Sequence, residues 1–434
     1  MHLKRHAKRT RLSLRPLMLI FAGYTAYSAP APENVNADDD LRYAVSYTVA
    51  PNPALQTVDV TMRVRQKDHL LRELRFATNS RISGFSGDGE IDANARQVTW
   101  LPGERGGTLR WSVKVVHRRN SNGYDAWLTD DWGLFRAEDI IPRAATRAVR
   151  NAFSTTRIKF ELPQQWSVVT AYAGTQNTFS VDNAKRRFDQ PVGWIVMGPL
   201  GVRREIIGTV RVAVAGPVEH TIRRIDMLAL LNWTLPELNR LLPSLPTRLT
   251  IVSAADPMWR GGLSAPGSLF IHAERPLISE NATSTLLHEV MHSLLQLRAV
   301  EGYDWIVEGF AEYYSLELLR RSATISQNRY DAALRSLAEW ARSADVLCRR
   351  SSTGPVTALA VTLLSRLNTE IRERTDNQRS LDDLLRMVHR QDRPADLELL
   401  ALFVEQLTGR RSDALDRKNL PGCAKFLSGQ GEPD

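Results

Sequence analysis

The chain has 434 residues, of which 43% are apolar and 24% are charged, and its formal net charge is +9. This composition excludes a disordered or low-complexity protein, and the length is typical of a globular protein with more than one domain. The charge alone would favour a nucleic-acid or membrane-surface partner, but its distribution along the chain removes that argument.

The first segment of the chain has the three parts of a secretory signal peptide. Residues 1–15 contain six Lys and Arg residues and no acid, and a short apolar run follows, with Ala26 and Ser28 at positions suited to cleavage. We therefore predict a signal peptide at 1–28, a Pro-rich linker at 29–40 and a secreted or periplasmic protein; an uncleaved membrane anchor is the alternative. Without the six basic residues the net charge is about +3, so no nucleic-acid partner is predicted. A membrane is a predicted partner only if the segment stays uncleaved.

Residues 41–220 have the character of strands. Segments such as YAVSYTVA, TVDVTMRVR and GTVRVAVAG alternate apolar and polar residues or are rich in β-branched residues, with Gly, Asn and Pro between them. Several short strands separated by turns predict a β-sandwich for this N-terminal domain.

Residues 221–434 predict a second, helix-rich domain. RRIDMLALLNWTLPELNRLL predicts a helix, RLTIVSA and GSLFIHAE predict two strands, and helices with short loops are predicted from Ser284 onwards. The fold class is therefore α+β with several domains.

The chain has two cysteines, Cys348 and Cys423. In an exported protein an even pair favours a disulfide. Two buried free thiols are the alternative, and the sequence leaves both open.

The segment LLHEVMH places His288 and His292 four residues apart, with Glu289 beside the first. A helix turns by about 100° per residue, so both imidazoles project from one face. Two imidazoles at this spacing bind one Zn²⁺, and the glutamate reaches the water activated by the metal without being a ligand. The helix is apolar around most of its circumference, with Asn281 and Thr283 as cap candidates. Buried imidazoles need a partner, and a metal is the simplest one.

A second predicted helix, in YDWIVEGFAEYYSLELL, carries Glu308 and Glu312 one turn apart. Zinc in a catalytic site takes a third protein ligand and keeps a fourth position open. Glu308 lies in an aromatic and apolar setting, where an unpaired carboxylate is costly. Glu301 and Asp304 are competing acids in the predicted connecting loop.

LLHEVMH followed by WIVEGFAEYYS resembles the gluzincin zinc metallopeptidases, and most of all the aminopeptidase N-like and glycyl aminopeptidase families. The resemblance implies a thermolysin-like catalytic domain with one zinc per chain. It implies His288, His292 and Glu308 as ligands, Glu289 as general base and Glu312 as the acid that orients a ligating imidazole. A secreted peptidase that hydrolyses a peptide or protein substrate through a zinc-activated water is the function it implies.

The resemblance covers about residues 259–407, and the sequence departs from it in several places. His292 and Glu308 are separated by fifteen residues, fewer than is usual in the aminopeptidase N-like enzymes. In those enzymes an edge strand carries a glutamate that grips the free amino group of the substrate. Residues 263–265 correspond to it and contain no acid, and Glu274 is the nearest acid in sequence. We therefore expect a poor aminopeptidase.

The tyrosine that donates a hydrogen bond to the oxyanion in those families is also missing. Ser351 or Ser352 falls in its place. Tyr330 is a candidate replacement, and Arg349 and Arg350 are others, since any preorganised donor can stabilise an oxyanion. These departures leave one alternative function, a catalytically impaired gluzincin-like scaffold that binds a peptide or protein partner.

Overall fold

The computed structural model describes residues 41–183, 186–242 and 244–423, so the predicted signal peptide and linker lie outside the described residues. From Leu41 the chain forms a single unit. The domain boundary predicted after residue 220 falls within that unit and stays a prediction. In the described part of the chain, no helix combines the length and the apolar character needed to cross a membrane.

The first half of the described chain is built from short strands. They are β1 Arg42–Asn52, β2 Thr57–Arg65, β3 Leu71–Ala77, β4 Ile82–Gly87, β5 Glu90–Ala93, β6 Gln97–Leu101, β7 Gly106–Lys114, β8 His117–Asn120, β9 Gly123–Leu128, β10 Gly133–Arg136, β11 Ala144–Ala148, β12 Phe153–Phe160, β13 Ser167–Val169, β14 Ala173–Thr175, β15 Thr178–Val181 and β16 Trp194–Gly198, with one short helix, α1 Ala137–Ile140.

These strands form three sheets rather than the two of a simple sandwich. Their strand orders are β14-β15-β12-β1-β2-β7-β4, β13-β16-β10-β9-β8 and β11-β3-β6-β5. Buried and solvent-facing residues alternate along β1 and β2, so the seven-stranded sheet buries one face. Residues of all three sheets share one core, which includes Val60, Trp100 and Phe135. A period of two in the sequence predicts each strand but does not say how many sheets enclose the core.

The second half combines one sheet with seven helices in the described residues. Its elements are β17 Leu200–Ile207, β18 Val210–Pro217, α2 Arg224–Leu241, β19 Arg248–Ala254, β20 Gly262–Ala265, β21 Ser268–His272, α3 Thr285–Leu295, α4 Asp304–Arg321, α5 Gln327–Ala341, α6 Pro355–Arg374, α7 Leu381–His389 and α8 Leu397–Thr408. The strand order is β17-β18-β19-β21-β20. The three central strands are parallel, and the edge strands β17 and β20 are antiparallel to their neighbours.

Two helices of this half position the candidate site. α3 begins after Ser284, whose side-chain oxygen accepts a hydrogen bond from the backbone N–H of Leu287 at 3.2 Å. The cap is therefore Ser284 and not Asn281 or Thr283; the hydroxyl of Thr283 is bonded to that of Ser279 instead. α4 is buried on nearly every side, although it carries several charged residues, and it packs against α2, α3 and α6.

Cys348 and Cys423 form a disulfide, so the first of the two alternatives left open by the sequence is the one present. Cys348 lies between α5 and α6, and Cys423 follows α8. The bond ties the last described segment to the helical core.

Candidate metal centre and active site

The imidazoles of α3 and the first carboxylate of α4 meet in one cluster. The Nε2 atoms of His288 and His292 are 3.0 Å apart. One oxygen of Glu308 lies 3.3 Å from Nε2 of His288, and the other lies 3.3 Å from Nε2 of His292. The three side chains are between 13% and 25% exposed, so the cluster is open to small molecules on one side.

The donor atoms of this cluster fit a zinc ion. Atoms that share a tetrahedral zinc at about 2.0–2.1 Å lie roughly 3.3 Å from one another. The three separations in the cluster, 3.0, 3.3 and 3.3 Å, are close to that value, with each oxygen of Glu308 beside a different imidazole. Two imidazole nitrogens and one carboxylate oxygen are also a donor set that catalytic zinc sites use. Within the described ranges, His288, His292 and Glu308 are the only group of His, Cys, Asp and Glu side chains found suited to hold a metal.

Glu312, one turn after Glu308 on α4, contacts the outer nitrogen of an imidazole. Its Oε2 atom is 2.8 Å from Nδ1 of His288. A carboxylate at this position accepts a hydrogen bond from the Nδ1–H group, which fixes the orientation of the ring and leaves Nε2 free to bind a metal. The structure thus brings Glu312 to the place that the resemblance implies.

The ionisation of the cluster is set by burial and by its hydrogen bonds. Burial would lower the pKa of His288, but hydrogen bonds to Glu308 and Glu312 outweigh it and raise that pKa well above its ordinary value. Burial opposes the ionisation of Glu308, but hydrogen bonds from both imidazoles lower its pKa to about 2. Glu308 is therefore a carboxylate at neutral pH, which is the form that binds metal.

Glu289 is buried beside the cluster without belonging to it. It is 8% exposed, and burial raises the pKa of its carboxyl group. The side chain of Ser264, on the edge strand β20, opposes that rise in pKa. A Cβ added to Gly262 would lie 2.6 Å from Cγ of Glu289 and 2.8 Å from Cγ2 of Thr285, so this strand approaches α3 as closely as a glycine allows.

The sequence did not predict this role of β20. Its four residues, GLSA, are too few to show a period, and the contact with α3 joins segments that are distant in the chain. The pair Gly261–Gly262 was the available signal, because a glycine inside a strand often marks a close backbone approach. The strand is at the edge of the sheet, where the resemblance implies a substrate-binding strand, and it carries no acid.

Tyr330 is not brought to the cluster. It lies on α5, is 6% exposed, and donates its hydroxyl hydrogen to Oε1 of Glu317 at 2.5 Å. Glu317 follows Glu308 by nine residues on α4, about two and a half turns, so it faces the opposite side of that helix. Arg320 and Arg321 pair with the same carboxylate, and the hydroxyl of Tyr330 is engaged there.

The other acids and the two arginines also have partners. Glu274 is exposed and pairs with Arg260 at 3.1 Å. Arg350 donates to Glu301 at 2.5 Å on the surface. Asp304, expected in a loop, is the first residue of α4, and its carboxylate accepts the backbone N–H of Ser352 at 2.6 Å. Arg349 is exposed, and its backbone bridges to that of Tyr303.

No family model matches the sequence, and no curated protein matches it. Solved structures match the fold. An aminopeptidase N family protein from Idiomarina loihiensis superposes with a TM-score of 0.61 at 16% identity, over 88% of this chain and 75% of that one. Yeast leukotriene A4 hydrolase in complex with bestatin superposes with a TM-score of 0.57 at 14% identity, over 94% of this chain and 72% of that one. Native leukotriene A4 hydrolase from Saccharomyces cerevisiae superposes with a TM-score of 0.54 at 13% identity, over 90% of this chain and 69% of that one. At these identities the similarity shows the fold, which agrees with the gluzincin resemblance of the sequence.

Proposed function

We propose that the protein is a zinc-dependent metallopeptidase. The observation that carries this proposal is the cluster itself: the Nε2 atoms of His288 and His292 are 3.0 Å apart, each lies 3.3 Å from an oxygen of Glu308, and a further carboxylate is buried at its side. A purely structural metal site needs ligands but has no use for Glu289. A buried carboxylate that does not ligate the metal is what hydrolysis requires as a base.

Each side chain has a distinct task in this proposal. His288, His292 and Glu308 would hold the ion, and Glu312 would keep His288 oriented through Nδ1. Bound zinc supplies Lewis-acid chemistry, which polarises the scissile carbonyl and makes water more acidic. The carboxylate of Glu289 accepts a proton from the attacking water and delivers it to the nitrogen of the leaving amine.

The decisive experiment separates the base from the ligands. Glu289→Gln keeps the size of the side chain but cannot accept the proton, so we expect full zinc content and loss of hydrolysis of a peptide library. His288→Ala is the matched comparison and should lose most of the zinc. Elemental analysis measures the zinc content, and mass spectrometry of the peptide library measures hydrolysis.

Equal cleavage by the wild type and the Glu289→Gln variant would refute catalysis at this site. The protein would then be a gluzincin-like scaffold that binds a peptide or protein partner. The engagement of Tyr330 by Glu317 supports that second function, since it leaves no tyrosine assigned to the oxyanion. Loss of one oxyanion donor lowers a rate by about 10²–10³-fold without abolishing it, so slow hydrolysis remains compatible with the proposal.

The edge strand supports a weak preference for free amino termini. Removal of a buried carboxylate that pairs with the substrate's amino group costs several kcal/mol. β20 has no acid, and Glu274 is already paired at the surface. We expect kcat/KM for a peptide and its N-acetylated form to differ little. A preference for the free amine above about a hundredfold, roughly 2.7 kcal/mol, would show that another acid binds it, and Glu274→Gln would be the next variant.

Export is part of the same proposal. Residues 1–28 are typical of a signal peptide, and the disulfide between Cys348 and Cys423 suits an oxidising compartment. The mature protein should begin near Ala29, which its intact mass after purification from the periplasm or medium would show. A chain that still begins at Met1 would favour a membrane anchor instead.

A further inference from the structure

A cavity of about 1190 Å³ lies between the two halves of the described chain, away from the metal cluster. One wall consists of β12, β14 and β15, and the other of β17, β18 and β19. In the five-stranded sheet, β17 is four strand positions from β20, which borders Glu289. Neighbouring strands are about 4.8 Å apart, so β17 is roughly 19 Å from β20, and β19, two positions away, is roughly 10 Å from it.

Basic side chains gather on both walls of this cavity. On the five-stranded sheet, Arg211 is the register partner of both Ile206 and Arg248, and Arg204 is opposite Ala213. Residues that face one another across neighbouring strands project from the same face of a sheet, so the three arginines share one surface. On the opposite wall, Arg157 and Lys159 are the register partners of Ser180 and Thr178.

The arginines of the cavity have no acidic partner. Lys159 pairs with Glu161 at 3.1 Å, whereas Arg157, Arg204, Arg211 and Arg248 form no ion pair with any carboxylate of the described chain. Arg211 and Arg248 lie directly opposite each other on neighbouring strands. Like charges in this arrangement repel each other and destabilise the sheet. A fold that keeps this repulsion without an acid beside it is suited to an anionic ligand.

The charge and size of the cavity define the ligand. Its lining residues include five cations and one acid, Glu205, and because Lys159 is paired with Glu161 the remaining net charge is +3. A phosphate group carries about −1.5 to −2 at neutral pH, so two such groups balance that charge. The planar guanidinium group binds phosphate with two parallel hydrogen bonds, and the hydroxyls of Thr178 and Ser180 add further donors. The volume exceeds what a single phosphate needs.

We propose that this cavity binds a ligand bearing two phosphate groups, either free in solution or carried by the head group of a lipid. The site is separate from the proposed peptidase centre and does not depend on it. It is built by side chains from both halves of the chain, so the ligand would bridge them.

Calorimetric titration with inorganic pyrophosphate tests the proposal. We expect the double variant Arg211→Ser/Arg248→Ser to bind at least about tenfold more weakly than the wild type, because two charge-assisted contacts are removed. The matched control is Arg203→Ser. Arg203 precedes Arg204 on β17 but projects from the other face and bonds to the carbonyl of Val202. Pyrophosphate could also chelate a metal bound at the proposed peptidase centre, but this effect would be the same in the wild type, the double variant and the control. A difference in pyrophosphate affinity between the two variants therefore reports on the cavity.

Two further arms identify the source of the phosphates. Cosedimentation with phosphatidylcholine vesicles containing about one fifth phosphatidylinositol 4-phosphate, whose head group bears two phosphates including a monoester, compared with phosphatidylcholine alone, detects a lipid head group. Binding of pyrophosphate without cosedimentation indicates a soluble ligand. Equal pyrophosphate affinity in the double variant and the control, or no binding to either probe at physiological salt, would overturn the proposal. Tighter binding of polyglutamate than of pyrophosphate would overturn the assignment to phosphate.

Discussion

Gly309 follows Glu308 on α4 and is pressed against α6. A Cβ added to it would lie 2.8 Å from Cβ of Ala360 and 3.2 Å from Cδ1 of Leu364. Carbon atoms in optimal contact are about 3.5–4.0 Å apart, so Gly309→Ala requires the two helices to separate locally by roughly 0.7–1.2 Å. Because Glu308 is the adjacent residue, such a movement displaces a proposed metal ligand.

Two effects of Gly309→Ala oppose each other. Alanine is favoured over glycine in a helix interior by about 1 kcal/mol. Overpacking of a filled core costs about 1–3 kcal/mol. We therefore expect the free energy of unfolding to fall by about 1 kcal/mol. Zinc should also bind at least about tenfold more weakly, since a metal site tolerates displacements of only about 0.5 Å.

A double-mutant cycle isolates the contact. Ala360→Gly removes the methyl group that collides, so the double variant Gly309→Ala/Ala360→Gly should recover zinc affinity and show a coupling of at least about 1 kcal/mol in urea unfolding. Ala358→Gly is the control, because Ala358 is two residues, about 200°, away around α6. If Gly309→Ala stabilises the protein, and its coupling to Ala360→Gly is no larger than to Ala358→Gly, the helices are not in the close contact described.

Three other predictions follow from the same structure. Glu312→Ala should weaken zinc binding by about 10- to 100-fold in competition with a fluorescent chelator, and unchanged affinity would show that it does not orient His288. Replacing both Cys348 and Cys423, which are 75 residues apart, should lower the free energy of unfolding by up to about 4 kcal/mol and abolish its dependence on reducing agent. Burial lowers the pKa of His272, which is 0% exposed and accepts a backbone N–H at Nδ1, so the folded state favours the neutral ring. The stability contributed by this residue is complete above its ordinary pKa of 6.5 and decreases as the pH falls, by at most about 1.4 kcal/mol per pH unit. His272→Gln should therefore reduce the dependence of the free energy of unfolding on pH, measured by urea unfolding between about pH 5 and 7. An unchanged slope would contradict this account.

The grouping of His288, His292 and Glu308 could be predicted from sequence because these residues lie on two helices. Spacing along a helix fixes the direction in which side chains project, so residues one turn apart must share a face. His288 and His292 needed no further information. Glu308 was harder, since Glu301, Asp304 and Glu312 were within reach in sequence. The geometry separates them, because Glu308 contacts both Nε2 atoms whereas Glu312 contacts Nδ1.

The oxyanion donor could not be predicted in the same way. Tyr330 is on a helix that packs against α4, and its distance in sequence from α3 says nothing about which face of α4 it meets. The position of Tyr330 is set by Glu317, a buried acid on the face of α4 opposite Glu308. Glu317 is 4% exposed, and burial alone would raise its pKa, but hydrogen bonds from Arg320 and Tyr330 keep the pKa below its ordinary value. A residue that satisfies a buried carboxylate is not available to a substrate.

The basic cavity shows why the total charge of a chain is a weak guide to its ligands. Most of the net charge of +9 comes from the first fifteen residues, and setting them aside left no argument for an anionic partner. The four arginines that form no ion pair with a carboxylate of the described chain are spread from residue 157 to residue 248, and only Arg204 has a basic neighbour in sequence, Arg203. They become a site only when the register of β17, β18 and β19 aligns three of them and β12 brings the fourth to the opposite wall. Pairing with acids, rather than the number of charges, therefore decides where an anion can bind, and pairing is a property of the folded chain.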